Sequence, residues 1–137
     1  MAAAAIARKA VDAIYATAEE NKEYLGRIDA IAGDGDHGIG MSRGSKAAAA
    51  AANEAQGGVE AVLSAAGHAF SDKAGGTSGI LWGLFLEGVG KGLGNTEAVT
   101  AQRLANALSS ARCAPPRQRR RDRRRRLVPP SPRHDRH

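Results

Sequence analysis

Alanine in long stretches, Ala2–Ala5 and Ala47–Ala52, constrains the fold of this chain before any other feature. Alanine is the strongest helix former and offers a sheet little to pack with. Aromatic residues make up only 4% of the sequence, so the large side chains that a β-sandwich needs are scarce. Apolar residues recur at three- and four-residue spacing over 3–25, where Ile6, Ala10, Ala13, Ile14, Thr17 and Ala18 oppose Arg8, Lys9, Asp12, Glu19 and Glu20. That pattern predicts one helix with Gly26 as its stop. A second helix is expected over about 40–56, ended by Gly57-Gly58, and a third over 59–70 with Val59, Val62, Leu63, Ala66 and Phe70 as its stripe. The glycine-rich stretch 71–79 reads as a loop feeding a fourth helix, and Thr96 as the N-cap of a fifth that runs to about 111. No segment alternates as a strand does. The expected class is all-α.

Charge divides the chain in two. Residues 112–137 hold 11 Arg against Asp122 and Asp135, a net of +9, while residues 1–111 carry a net of −3. The tail has proline pairs and no hydrophobic period, so it is expected to be disordered, and its Arg, Pro and His mixture reads as a frameshifted translation. The expected division is a folded unit over 1–111 and a basic tail over 112–137. No apolar stretch is long enough to span a bilayer, the N-terminus has no cleavable signal pattern, and Cys113 is the sole cysteine. These features fit a reducing cytoplasm.

The chemistry concentrates in two glycine-rich segments. Asp29 is followed by Asp34-Gly-Asp36-His37-Gly38, which places three mutually repelling carboxylates within eight residues. Hard oxygen donors without thiols suit magnesium or calcium, and magnesium completes its shell with water and substrate phosphates. An EF-hand does not fit, since the sixth position counted from Asp34 is Ile39 and the twelfth is Ser45. The second segment, Ala74-Gly-Gly-Thr-Ser-Gly79, opens a helix, where free N–H groups and the helix dipole favour an anion. It is not a Walker A loop, for no Gly-Lys-Ser/Thr closes it. Trp82 and Phe85 read as core, His68 as a surface or packing residue, and Asp72-Lys73 as a helix end or solvated turn.

In combination, Asp29-x4-Gly-Asp-Gly-Asp-His-Gly-x2-Met41-x-Arg43-Gly44 and Gly75-Gly-Thr-Ser-Gly-x2-Trp82-Gly83 resemble the L domain of dihydroxyacetone kinases over residues 5–111, about half of that domain. The resemblance implies an antiparallel helical barrel of eight helices, present here only in part, with ATP or ADP and magnesium at one rim. It implies Asp29, Asp34 and Asp36 as magnesium ligands. His37, Met41, Thr77, Ser78 and Leu81 are implied near the nucleotide, with Gly75, Gly76 and Gly79 beside its phosphates. His37 favours the ketose-kinase branch over the related fatty-acid kinases, which tend to carry threonine there. Gly40 stands where many members have asparagine, which would remove a side-chain contact to the nucleotide or its phosphates. The implied activity is transfer of the ATP γ-phosphate to dihydroxyacetone or another small ketose, erythrulose included. In the family a histidine on a K subunit or domain holds the ketose, so no residue of this chain is assigned to catalysis, and the chain alone is expected to be inactive. The competing readings are nonspecific nucleic-acid or polyanion binding through the arginine tail, and a non-functional kinase fragment.

Overall fold

A computed structural model describes residues 2–113. They form six helices: α1 (Ala2–Glu20), α2 (Lys22–Asp29), α3 (His37–Glu54), α4 (Val59–Ala74), α5 (Gly76–Leu93) and α6 (Ala101–Cys113). No strand occurs among the described residues, as the alanine content predicts. No described helix is long and apolar enough to cross a membrane. The expectations of disorder, frameshift and polyanion binding for the arginine tail lie outside the described residues from position 114 onward.

α4 is the centre of the bundle, packed chiefly against α3 and α5, while α1 packs on α3 and, less extensively, on α4. It supplies Val59, Val62, Ala66 and Phe70 to the core, each at most 1% exposed. Alanines of α1 and α3, among them Ala3, Ala7, Ala48 and Ala52, complete that core and keep the helix axes close. The glycines of α5 divide between two neighbours. A side chain at Gly83 would strike Ser71 and the Gly67 carbonyl, and one at Gly90 would lie 3.0 Å from Leu63 Cβ, both on α4. Side chains at Gly88 and Gly92 would meet Ala111 and Ala107 of α6 at 3.0 and 2.9 Å. Glycine weakens a helix by roughly 1 kcal/mol per residue relative to alanine, and here it permits contact on two sides.

Several boundaries differ from the expected ones. The single helix over 3–25 is two, interrupted at Asn21, whose side chain donates to the Thr17 carbonyl at 2.9 Å beside its own backbone bond to the same oxygen. Gly26 is not a stop: α2 runs through it to Asp29, and its missing side chain admits the Gly35 carbonyl, 3.1 Å from where a Cβ would be. The expected loop 71–79 shrinks to Gly75, because α4 continues to Ala74 and Gly76-Thr77-Ser78-Gly79 is already the first turn of α5. Thr96 does not cap α6. It closes a local turn with Ala98, and Thr100 accepts the Arg103 N–H at 3.2 Å at the true helix start. A helix end also needs its carbonyls satisfied. Arg8 of α1 does this for α3, donating to the Ala52 and Ala55 carbonyls at 3.1 and 2.8 Å.

Candidate functional site

The acidic segment is a tight connection between the end of α2 and the start of α3. Asp29 is the last residue of α2, and its carbonyl accepts the Gly33 N–H at 2.6 Å. The turn places Gly33 so close that a Cβ there would sit 2.5 Å from the Asp29 carboxylate. Gly35 then adopts φ +80°, a left-handed conformation that glycine takes without strain. Asp36 occupies the N-cap position of α3 without capping it through its side chain. A side chain at Gly38 would collide with the Lys22 carbonyl, so the start of α3 lies directly on α2.

This backbone draws Asp29, Asp34 and Asp36 together, with one carboxylate oxygen from each lying within 4.8 Å of the others. Asp29 is half-buried and accepts the His37 backbone N–H at 3.2 Å, while Asp34 and Asp36 are exposed. Asp34 accepts the Asp36 N–H at 3.3 Å. A side-chain hydrogen bond between these two carboxyls holds Asp34 below the ordinary carboxylate range and, with the Asp34 charge, raises Asp36 above it. Asp34 therefore gives up its proton more readily than Asp36 does, as expected for two adjacent like charges. Arg43 opposes the rise at Asp36.

The second segment faces the first across a cleft of about 220 Å³. Asp36, His37 and Arg43 form one wall, and Gly75, Gly76 and Ser78 the other. Gly75 and Gly76 have φ of +73° and +65°, which reverses the chain between α4 and α5 and presents the N-terminus of α5. A larger hollow of about 650 Å³ adjoins it, lined largely by apolar residues including Ile14, Leu25, Met41 and Trp82, and His37 borders both. The larger hollow lacks the charged groups that give the smaller cleft its chemistry.

The expected site residues are thus only partly gathered. Asp36, His37, Gly75, Gly76 and Ser78 line the cleft, and Asp29 and Asp34 join it through the carboxylate cluster. Met41 is buried beside the hollow. Thr77 is exposed on the first turn of α5, and Gly79 is buried against Ala74. Leu81, 62% exposed, lies in a separate shallow depression with Trp82 and Phe85. Trp82, expected in the core, is 38% exposed and stacks on Phe70 at 6.2 Å. Sequence reasoning gave Arg43 no task, yet its guanidinium lies in the cleft and bonds to the end of α4. Its place two helical turns after Asp36 is the signal that could have found it.

Residues 31–121 match the DAK2 domain as a protein family. The chain belongs to that family. Its relatives are kinases. A D-erythrulose kinase of Mycolicibacterium smegmatis is 51% identical over 98 residues, which cover 69% of this chain and 17% of the relative. An L-erythrulose kinase of Pectobacterium atrosepticum is 48% identical over 95 residues, 67% of this chain and 16% of the relative. The ADP-binding subunit DhaL of a PEP-dependent dihydroxyacetone kinase from Listeria innocua is 33% identical over 93 residues, 67% of this chain and 46% of the subunit. The chain therefore matches less than half the length of each of these proteins.

Proposed function

We propose that this DAK2 domain binds ATP or ADP with magnesium and serves a kinase that passes the γ-phosphate to a small ketose, dihydroxyacetone or erythrulose. The observation that carries the reading is the shared cleft, in which the carboxylate cluster faces the Gly75-Gly76 turn and the N-terminus of α5. The donor set fits the metal: three carboxylates, no thiol, exposed enough to converge on one hard cation. Asp29, Asp34 and Asp36 would hold magnesium, which when bound neutralises phosphate charge and aligns the transferring group. Free N–H groups at the start of α5 would receive the phosphates, and Ser78 offers a hydroxyl on the same wall. His37, bordering both cavities, stands where phosphates would give way to the nucleoside. Met41, Thr77, Gly79 and Leu81 do not line the cleft and are kept in the proposal only as residues that shape α3 and the first turns of α5.

In the family that the sequence resembles, a K subunit or domain holds the ketose, and capture of the substrate is assigned here to such a partner. It also keeps 1–111 as the family unit and the arginine tail as a separate segment. The test is titration of the full chain with ADP, followed by calorimetry and by the fluorescence of Trp82, the sole tryptophan. Saturable binding that requires magnesium, disappears with EDTA and is lost in the Asp34→Ala, Asp36→Ala double variant is the expected result. Binding that ignores magnesium or survives the double substitution would overturn the reading, and dependence on residues 114–137 would point to polyanion attraction instead.

A further inference from the structure

Arg43 is the one permanent cation among the residues lining the cleft, and the function proposed above gives it no role. It lies two turns beyond Asp36 on α3, and so on the same side of that helix. Its Nε donates to the Lys73 carbonyl at 2.6 Å, and its Nη2 to the Ala74 carbonyl at 3.1 Å. These are among the last carbonyls of α4, which no intrahelical N–H can satisfy, and Gly75 follows them directly.

The surrounding packing lets the end of α4 approach closely. A side chain at Gly40 would place its Cβ 3.1 Å from the Ala74 carbonyl. One at Gly44 would lie 2.5 Å from the Ala74 Cβ and 3.0 Å from the Phe70 ring. Two residues of α3 thus make room for the end of α4, and a third holds it. Arg8 grips α3 in the same way, but its carbonyls belong to Ala52 and Ala55, and it does not line the cleft. The carbonyls that Arg43 holds lead straight into the turn facing the carboxylates.

We propose that Arg43 is a positioning residue whose guanidinium, closed on the Lys73 and Ala74 carbonyls, fixes the Gly75-Gly76 turn relative to the Asp29–Asp34–Asp36 cluster so that metal and phosphate are held together. The functional half of this inference rests on the nucleotide reading above; the clamp itself rests on the two hydrogen bonds. The two carbonyls are held by two different nitrogens of one rigid, planar guanidinium, Nε and Nη2, a fork that a single ammonium nitrogen on a flexible stem does not reproduce. Lysine at this position keeps the charge and loses the clamp.

The experiment compares Arg43→Lys, Arg43→Ala and, as a control, Arg8→Lys in the full chain. Amide exchange across residues 71–79 is read without ligand, manganese binding is read alone, and ADP affinity is read with magnesium. Both Arg43 variants are expected to keep their helix content and manganese affinity. Exchange across 71–79 should quicken about tenfold and ADP affinity should fall about tenfold, the scale of a lost charged hydrogen bond. Arg8→Lys should leave both readouts unchanged. Arg43→Lys with wild-type exchange and affinity would show that charge alone matters and would overturn the clamp. Loss of manganese affinity in proportion to ADP affinity would overturn it too, by showing collapse of the whole site. Should Arg43→Ala fail to fold, Arg43→Lys carries the comparison. If the parent chain binds no nucleotide, the functional reading falls and exchange decides the clamp: faster exchange in Arg43→Lys sustains it, and unchanged exchange overturns it.

Discussion

At the scale of single residues, the carboxylate cluster combines crowding with exposure. Asp36 titrates above its ordinary range because Asp34 both bonds it and repels its charge. A carboxyl raised in the folded state favours folding at low pH, and that contribution is lost as pH rises through its folded value. Asp34 runs the other way, its lowered value favouring folding above the ordinary carboxylate range and losing that effect in acid. Asn at position 36 would donate to Asp34 without ever ionising. Asp36→Asn is therefore expected to melt above the parent at neutral pH in EDTA, with the gap closing as Asp36 of the parent regains its proton. Magnesium should raise the melting temperature of the parent and not of the variant. Thermal melts with and without magnesium, at neutral and acidic pH, check both statements.

At the scale of elements, α5 shows helix propensity and packing in opposition. Gly83→Ala improves propensity by about 1 kcal/mol, yet its methyl would strike Ser71 and the Gly67 carbonyl of α4. Overpacking of this kind costs roughly 1–3 kcal/mol, so urea denaturation is expected to show net loss of stability. Gly76→Ala meets nothing within 4 Å and is strained only by its φ of +65°. Thr100→Ala should destabilise α6 by about 1 kcal/mol, as loss of an N-cap does, whereas Thr96→Ala should have a smaller effect. Circular dichroism during urea unfolding separates the two. Both threonines precede an apolar run, and the backbone leading into Ala101 decides which of them caps.

At the scale of the whole molecule, a small alanine-rich core leaves much apolar surface uncovered. A groove of about 240 Å³ runs between α1, α4, α5 and α6. Along it Ile6 is 59% exposed, and Leu104 and Leu108 are 39% and 40% exposed. On α5, Ile80 and Leu84 point outward at 54% and 42% exposure. Exposed apolar patches of this kind promote association. The Leu104→Gln, Leu108→Gln double variant is expected to remain monomeric at concentrations where the parent self-associates, with helix content preserved. Sedimentation velocity over a concentration series checks it, and identical association of the two proteins would count against the groove as the cause.

The helical class was legible in the sequence because alanine content and three-to-four spacing act locally, through propensity and the side of the helix on which each residue falls. The crowding of Asp29, Asp34 and Asp36 was legible for a related reason, since the three carboxylates fall within eight residues of one glycine-rich segment. Tertiary structure decided what depends on contacts between distant segments. Gly26 reads as a stop until the Gly35 carbonyl is seen resting on it. The glycines of α5 read as weak points until α4 and α6 are seen against them. Arg43 reads as one more charge on a helix until the end of α4, 30 residues away in sequence, arrives beneath its guanidinium. Local preference reveals that the chain is helical and which loop carries charge. Only packing selects which helix ends meet, and a cleft between two loops exists only once they do.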